Sequence, residues 1–333
     1  MDKLFKQCIG IDISKDKFTA CVSKHYISDR QNVSDVEEFE NNKTGFNQFV
    51  RWSRKNLSKE IPALYLMEAT GVYYESLAYH LHKLKEKIIV VLPNKAKYYA
   101  RSLNIKTKND IVDAKVLATM GCRQFFKCFW EAPKPIYMQL RTLTRFYSDL
   151  QKQKTVFNNH IESLKHSGEQ VISVIKAYEK LSKEIEKSIE ACLSDIEKLI
   201  KSDSELCGKI EKIGTIKGVG FITIVTIIAE TKGFKLTTSR KQLASYAGLD
   251  VVERQSGIVS GKTKISKKGN SRIRAALYFP AVAASVHNKE LREDYLRIVE
   301  KNPKYKKIGV TALQRKLLLL IYTLWKNGET FKT

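Results

Sequence analysis

Four acidic residues in the first third of the chain have the types and spacing for metal-dependent chemistry. Asp12 interrupts one apolar run and Glu68 closes another, so both are expected at or near the ends of buried strands. Asp110 and Asp113 are three positions apart, a spacing that places both carboxylates on one face of a helix. Carboxylates gathered from separate elements repel one another unless a cation lies between them, and Mg²⁺ or Mn²⁺ prefers such oxygen ligands. These four residues are therefore predicted to bind a divalent metal.

Each acid alone also has a purely structural explanation. Asp12 and Asp110 are compatible with helix caps or turns, since Asp12 begins a segment rich in turn formers. Asp113 is compatible with an exposed partner for a lysine. The metal site becomes the better interpretation only when the four acids are considered as a set.

The charge of the chain indicates a polyanionic partner. Its 333 residues include 59 Lys and Arg against 35 Asp and Glu, which gives a net charge of +24. Such a field attracts polyanions and makes binding strongly dependent on salt. Nucleic acid is the predicted partner, and an anionic membrane surface is the weaker alternative. Because paired metal ions stabilise the attacking and leaving oxygens in phosphodiester chemistry, the four acids fit this partner.

Membrane, secreted and zinc-binding proteins are disfavoured. No stretch approaches the roughly eighteen uninterrupted apolar residues of a membrane span, and the first residues lack the core of a signal peptide. We therefore expect a cytoplasmic protein that does not bind membranes. The six cysteines form no CxxC pair and the six histidines lack metal-ligand spacing, which disfavours both a zinc site and a disulfide framework.

Residues 1–134 are predicted to form an α/β layer. The pattern of apolar residues predicts, in order, strands at 5–13 and 17–23, a third strand or loop to about 42, a helix over 45–55, a strand at 63–67, a helix over 72–84 and a strand at 88–92. Alternation of strand and helix with short links predicts that the last two strands are parallel. Sites in such sheets form at the carboxyl ends of the strands, where Glu68 lies.

The middle of the chain, residues 135–212, is rich in Leu, Ile, Lys and Glu. Its apolar residues recur close to a heptad rhythm, which predicts a long helical hairpin or coiled coil. We interpret this segment as a spacer or dimer strut with solvated charges rather than as part of a catalytic site.

A third unit is predicted over residues 213–333. Lys217, Gly218 and Gly220 lie in a segment similar to a helix-hairpin-helix turn, in which glycines let backbone N–H groups approach a phosphate. An ordinary tight turn is the alternative. A helix is predicted over 241–249 with Gly248 at its C-terminal end, and apolar helices over 275–286 and 310–325 are predicted to supply the core.

A basic segment rich in Gly and Ser lies between these helices, at residues 255–274. Its backbone donors and cations suit phosphate binding, although a flexible basic loop without chemistry explains the composition equally well. The cations predicted to contact nucleic acid are Lys262, Lys264, Lys267, Lys268, Arg272 and Arg274.

Taken in order, several segments of the chain resemble the IS110 family of transposases, which includes the Piv-type DNA invertases. Three segments look like blocks of that family's RuvC-like DEDD domain: Gly10–Lys15, Met67–Gly71 and Lys108–Ala114. Four segments look like blocks of its transposase domain: Ile216–Gly220, Ala247–Leu249, Ser256–Gly257 and Lys268–Arg274. The resemblance covers nearly the full length of the chain.

The resemblance implies a RuvC-like (RNase H-like) α/β domain at 1–134, a helical coiled-coil spacer at 135–212 and a mostly α-helical transposase domain at 213–333. It implies recombination of double-stranded DNA, with the four acids as a tetrad that binds Mg²⁺ or Mn²⁺ and Ser256 as the nucleophile. It further implies a dimer or tetramer in which the tetrad of one subunit serves the serine of another. A structured bridge RNA, whose loops pair with target and donor DNA, is implied as the guide.

One block departs from the family, because Asp250, Val251 and Val252 stand where a proline usually follows the Ala-Gly-Leu motif. Ser260 is the nearest substitute for Ser256 as the nucleophile, and Ser245 is a poorer one because it lies inside a predicted helix. Two other classes of protein stay open. A RuvC-like nuclease acting on branched DNA would use the tetrad and water, and a non-catalytic RNA- or DNA-binding protein would leave the acids unexplained.

Overall fold

The structure of the chain, a computed structural model, consists of two compact units. Unit 1 is Met1–Ala132 and unit 2 is Pro133–Thr333. The structure describes residues 2–69, 71–237, 239–253, 255–256, 259–260, 263–301 and 303–331, with only the backbone described at 259 and 260.

Unit 1 is built on a six-stranded sheet. Its strands are β1 Leu4–Ile13, β2 Lys17–Tyr26, β3 Gln31–Val33, β4 Glu37–Glu40, β5 Ala63–Glu68 and β6 Lys87–Val91. β2 pairs antiparallel with β1, β3 and β4, whereas β5 lies between β1 and β6 and is parallel to both. The predicted parallel pairing of the strands at 63–67 and 88–92 is confirmed.

Helices cover both faces of this sheet. They are α1 Lys43–Asn56, α2 Glu75–Lys83, α3 Pro93–Ser102 and α4 Asp110–Arg123. Phe49 of α1 and Leu77 of α2 join the hydrophobic cluster on one face, and Leu117 of α4 joins the cluster on the other. The helix predicted over 72–84 begins only at Glu75, because Gly71 has a left-handed backbone (φ +58°) and the residues after it form a turn.

Two glycines let α4 lie directly against β1. A Cβ atom on Gly10 would overlap the backbone of Ala114 and Ala118, and a Cβ atom on Gly121 would overlap the side chain of Cys8. Without side chains at these two points, the helix backbone approaches the strand more closely than ordinary packing allows. This close approach brings the N-terminal turn of α4 to the end of β1.

Unit 2 is mostly helical. Its helices are α5 Pro135–Lys165, α6 Ile172–Lys201, α7 Ser204–Ile213, α8 Phe221–Glu230, α9 Arg240–Tyr246, α10 Ser271–His287, α11 Lys289–Glu300 and α12 Lys306–Asn327. Among the residues described between α9 and α10, four two-residue strands are found: β7 Val251–Val252, β8 Gln255–Ser256, β9 Val259–Ser260 and β10 Lys264–Ile265. α11 was not predicted, since its sequence is dominated by charged residues.

The helices α5 and α6 form the long antiparallel hairpin that the sequence predicts. Lys154 pairs with Glu186 at 2.8 Å near the middle of the hairpin, and Lys165 pairs with Glu179 at 2.7 Å near its tip. These exposed ion pairs contribute little stability, so the hairpin depends on its apolar seam. Coiled-coil geometry, a spacer role and a domain boundary at 212 stay predictions.

The core of unit 2 is formed by the apolar helices α8, α10 and α12 with their neighbours. Ile228, Leu277, Leu317 and Ile321 are all fully buried in one cluster. By length and composition alone α12 could cross a membrane, but half of its most apolar stretch is buried inside the unit. That burial is the behaviour of a core helix.

Adding one methyl group at Gly10 tests the contact between α4 and β1. Gly10→Ala is expected to destabilise the fold by about 1–3 kcal/mol, because the new Cβ atom must push away helix backbone rather than a mobile side chain. Thermal unfolding followed by circular dichroism measures the loss as a lower Tm. Gly208→Ala, in α7, is the matched control, since a Cβ atom there meets nothing within 4 Å and the helix should keep or gain stability. Equal Tm values for the two variants would contradict the proposed contact.

Candidate active site

Asp12 lies inside a strand. It is the next-to-last residue of β1, pairs with Thr19 of β2 and is half-buried between the buried residues Ile11 and Ile13. The hairpin turn lies farther along, where the backbone N–H and the hydroxyl of Ser14 donate to the carbonyl of Lys17 at 2.9 and 2.7 Å. The turn and cap explanations for Asp12 are therefore wrong.

Glu68 lies beside Asp12 at the same edge of the sheet. It is the last residue of β5 and pairs with Val91 of β6. Because Ile11 and Met67 are partners in the parallel pairing of β1 with β5, the residues that follow them, Asp12 and Glu68, occupy neighbouring positions. Parallel strands thus present two carboxylates at their carboxyl ends.

Asp110 and Asp113 lie in the first turn of α4. The helix is capped by Asn109, whose side-chain oxygen accepts from the backbone N–H of Val112 at 2.8 Å, so the cap explanation for Asp110 is wrong. The carbonyl of Asp110 accepts a hydrogen bond from the hydroxyl of Thr19 at 3.1 Å. Since Thr19 is the strand partner of Asp12, this bond joins the start of α4 to the end of β1.

Asp12 interacts electrostatically with all three other acids. Burial raises the pKa of the Asp12 carboxyl to about 6, and the negative charges of Asp113, Asp110 and Glu68 contribute to the increase, which Lys108 partly offsets. Burial also raises the pKa of Asp113. The folded chain therefore holds mutually repelling carboxylates at one edge of the sheet, a pattern more common at functional sites than in cores.

The donor set suits a hard divalent cation, although the side chains are not arranged as ligands. Among the residues that the structure describes, no three His, Cys, Asp or Glu side chains are close enough to hold one ion. The fit lies in the chemistry of the donors, because a cation would neutralise the negative charges that, together with burial, raise the pKa of Asp12. Asp12, Glu68, Asp110 and Asp113 are the residues that would hold it.

Ser256 lies in unit 2 on a short exposed hairpin. It is the second residue of β8, its side chain is exposed, and it pairs with Val259 of β9. The neighbouring Gly257 lies outside the described residues. Of the two alternative serines, Ser260 is described only by its backbone in β9. Ser245 lies within a helix, α9, as predicted, and its side chain is exposed.

The predicted helix-hairpin-helix turn connects α7 with α8. Lys217, Gly218 and Gly220 are exposed, and Gly220 begins α8 without a side-chain cap and with open space beside its Cα. Gly218 has a left-handed backbone (φ +90°) and lies against α10, where a Cβ atom would be 3.4 Å from the backbone nitrogen of Ala284. The backbone conformation and the close packing against α10 therefore explain why residue 218 is a glycine. The backbone N–H groups that follow Gly220, at the start of α8, are suited to bind an anion.

The predicted phosphate-binding cations have different surroundings. Lys264, Lys267 and Lys268 are exposed, and Lys262 lies outside the part of the chain that the structure describes. The guanidinium of Arg272 lies 3.8 Å from Asp149. That of Arg274 donates to the carbonyls of Ala247 at 2.8 Å and Gly269 at 3.3 Å, so it also joins α9 to α10.

Sequence analysis missed one buried acid of unit 2. Glu230 at the end of α8 is 2% exposed and forms a paired hydrogen bond with Arg145. A carboxylate at the end of a helix that otherwise contains only apolar residues and two threonines was a usable signal. Its partner Arg145 lies 85 positions away in the sequence, so local sequence patterns could not identify it.

Replacing Asp12 tests the electrostatic coupling without any metal. In metal-free buffer at pH 8, Asp12→Asn is expected to raise the Tm by roughly 2–4 °C, because it removes a carboxylate charge that is destabilised by burial and then by the neighbouring acids. A raised carboxyl pKa penalises the folded state above that pKa, so the advantage should shrink as the pH falls through about 6. Asp35→Asn, the same change at an exposed site, should leave the Tm unchanged. An Asp12→Asn variant that is less stable than wild type at pH 8 would contradict the coupling.

Comparisons with known proteins identify the family to which the chain belongs. A family model for DEDD transposases of the IS110 type matches residues 9–165, and one described as transposase IS116/IS110/IS902 family matches residues 210–296. The chain is similar to the pilin gene-inverting proteins of Moraxella bovis, 29% identical over 328 residues, and Moraxella lacunata, 30% identical over 331 residues. Each alignment covers 98% of both chains.

These matches extend over both units. The DEDD domain implies a RuvC-like fold for unit 1 and, in general terms, dependence on a divalent metal and binding of DNA. The chain therefore belongs to the IS110 family of transposases and is a site-specific DNA recombinase.

Proposed function

We propose that this recombinase exchanges DNA strands through a covalent bond between Ser256 and a DNA phosphate. The acids Asp12, Glu68, Asp110 and Asp113 would hold Mg²⁺ or Mn²⁺ for this reaction. The observation that supports the proposal most directly is geometric: the ends of β1 and β5 and the first turn of α4, which carry these four acids, lie at one edge of the sheet. Burial, and then the charges of the three other acids, raise the pKa of Asp12 there. Such an arrangement has a clear use at a phosphate and none in a core.

The serine requires activation. A serine hydroxyl is a weak nucleophile at neutral pH, and no histidine is adjacent to Ser256 in the sequence. A divalent cation, held by Asp12, Glu68, Asp110 and Asp113, would supply this activation by favouring the serine alkoxide and would neutralise charge on the phosphate under attack. The exposure of Ser256 on its hairpin suits attack on a large polymeric substrate.

Strand exchange by this route needs no external energy source. The Ser256 oxygen forms a bond to phosphorus, the bond from phosphorus to one sugar oxygen breaks, and that oxygen leaves as a hydroxyl after taking a proton. A sugar hydroxyl of another strand then attacks the phosphoserine, which restores a phosphodiester and releases the serine. Phosphodiester bonds are conserved in number, so the reaction rearranges DNA without hydrolysis.

The proposal includes a dimer or tetramer, with the tetrad of one subunit serving Ser256 of another. The two groups belong to different compact units of the chain, which is compatible with a site shared between subunits. For this chain we infer the same reaction class as that named for its relatives, inversion of a DNA segment, or the related movement of an element.

Recognition of DNA is proposed to have two parts. Exposed cations such as Lys264, Lys267 and Lys268, together with the turn at 217–220, would position phosphates without reading bases. A structured guide RNA would supply the choice of sequence through base pairing. Resemblance to the family supports the RNA, and the net charge of +24 suits two nucleic-acid partners.

A nuclease remains the second candidate, because the whole tetrad belongs to unit 1 and a metal-activated water needs no serine. Covalent trapping separates the two. Ser256→Ala is expected to abolish the covalent protein–DNA adduct and strand exchange while leaving DNA affinity unchanged. The assay uses protein copurified with its RNA, DNA flanking the gene, Mg²⁺ and denaturing electrophoresis. Ser245→Ala and Ser260→Ala are the matched controls and should keep the adduct. An adduct that persists in Ser256→Ala, or free hydrolysed ends from wild type, would overturn the proposed nucleophile.

Salt dependence of binding tests the proposed phosphate contacts. Lys264→Gln and Lys267→Gln should each weaken DNA binding for every sequence and reduce the slope of log affinity against log salt by about 1, since each removes one phosphate contact. Arg274→Gln should lower the Tm as well, because its guanidinium holds the carbonyl of Ala247. Fluorescence anisotropy between 50 and 300 mM salt measures the slopes. Unchanged slopes in both lysine variants would contradict a role for this segment in DNA contact.

A further inference from the structure

Glu230 is a buried carboxylate whose oxygens all have donors. Its Oε1 accepts from Nε of Arg145 at 2.7 Å, and its Oε2 accepts from Nη2 of Arg145 at 2.9 Å and from Nδ2 of Asn270 at 2.7 Å. The side chain is 2% exposed. A buried charge is tolerated only when it is paired and hydrogen-bonded in this way. Glu230 thereby connects α8 with α5 and with the start of α10.

The carboxylate is ionised at neutral pH. Burial alone would raise its pKa, but the hydrogen bonds from Arg145 and Asn270 and the charges of Arg145 and Arg141 outweigh burial, so the pKa of Glu230 lies below its ordinary value. Charge-assisted bonds of this kind are shorter and more directional than neutral ones. They hold Arg145 and Asn270 in one orientation.

Asn270, which is oriented by Glu230, also forms hydrogen bonds with the backbone of α9 and α10. Its side-chain oxygen accepts from the backbone N–H groups of Arg272 at 3.0 Å and Ile273 at 3.2 Å, which caps α10. Its own backbone N–H donates to the carbonyl of Tyr246 at 2.7 Å, at the end of α9. The side chain of Tyr246 contacts α8, because its hydroxyl donates to the carbonyl of Glu230 at 2.9 Å. The end of α9 and the start of α10 are therefore fixed together.

The segment between these two helix ends carries the hairpin with Ser256. Its base is closed by the antiparallel pairing of β7 with β10, by a hydrogen bond from the backbone N–H of Ser266 to the carbonyl of Asp250 at 2.9 Å, and by a bond between their side chains. The backbone N–H of Lys267 donates to the carbonyl of Gly248 at 3.1 Å. Gly269 lies so close to Gly248 that a Cβ atom on it would overlap backbone.

We propose that Glu230 is a positioning residue for strand exchange: through Asn270 it fixes the base of the hairpin that presents Ser256 to DNA. This inference rests on the proposed role of Ser256. The alternative is that Glu230 serves stability alone. An apolar residue of similar volume often stabilises a core as well as a buried ion pair does, but it makes no directional bond and would not fix Asn270.

Swapping the carboxylate of Glu230 and the amide of Asn270 tests the proposal. Glu230→Gln keeps the size of the side chain but weakens the bond to Arg145 and removes an acceptor from Asn270. Asn270→Asp places two carboxylates side by side. The double variant, Glu230→Gln with Asn270→Asp, restores one donor and one acceptor, and aspartate is as good a helix cap as asparagine. Glu205→Gln is the matched control, because Glu205 is an exposed carboxylate paired with Lys209 on the surface of α7.

Two measurements are made on each full-length variant bound to its RNA. Hydrogen exchange reports on the backbone at 247–252 and 264–270, with α12 as the internal measure of an intact fold. The rate of adduct formation with DNA reports on Ser256. Each single variant is expected to exchange faster at the hairpin base and, at saturating DNA, to form the adduct about 10–100-fold more slowly, because small displacements of a nucleophile cost rate. The double variant is expected to regain most of the protection from hydrogen exchange and most of the adduct rate. The Glu205→Gln control is expected to match wild type in both measurements.

Three results would overturn the inference: wild-type exchange at the hairpin base in the single variants, a wild-type adduct rate despite faster exchange, or a double variant as slow as the single variants. If Asn270→Asp does not fold, measurements on Glu230→Gln alone still show whether either of the first two results occurs. Failure of the proposed function gives a separate result, because the wild-type adduct would then map to a residue other than Ser256. The exchange measurements would still show whether Glu230 holds the base of the hairpin.

Discussion

The contact between α4 and β1 determines the chemistry of unit 1. Gly10 and Gly121 leave no side chain at the crossing, so the helix backbone lies on the strand. The first turn of α4 therefore reaches the edge of the sheet where Asp12 and Glu68 lie, at or next to the ends of their strands. The hydrogen bond from the hydroxyl of Thr19 to the carbonyl of Asp110 fixes the position of the first turn of α4 along the strands. Coulomb interactions weaken with distance and with access of water. A looser crossing would therefore expose Asp12 to water and separate the carboxylates, which would reduce both the burial and the charge repulsion that raise the pKa of Asp12.

The two units treat their buried acids in opposite ways. In unit 1 the charge of Asp12 lies near three like charges, which destabilises the folded chain and leaves a use for a cation. In unit 2 the charge of Glu230 has donors on both oxygens and a pKa below its ordinary value, which leaves nothing for a ligand to satisfy. The first arrangement suits a reaction centre and the second suits a rigid support. A site-specific DNA recombinase has use for both.

Local patterns in the sequence predict most of the elements and the positions of the acids, because they depend on neighbouring residues. Apolar runs marked the strands that end near Asp12 and Glu68, and Gly248 has the left-handed backbone (φ +67°) expected after a helix end. Contacts between distant residues carried no such signal. Neither the crossing at Gly10 nor the pairing of Arg145 with Glu230 follows from periodicity. The cap of α4 was ambiguous for a different reason, since adjacent Asn and Asp residues are equally good caps and only the backbone decides between them.

The most direct test of the account is the location of a bound cation. Crystals of the protein grown with millimolar Mn²⁺ would show the ion by its anomalous scattering. The account predicts a peak at the edge of the sheet in unit 1, within about 2–2.5 Å of oxygens from Asp12 and at least one more acid of the tetrad, and its loss in Asp12→Asn. A Mn²⁺ ion bound elsewhere, with none at this edge in the presence of DNA, would contradict it.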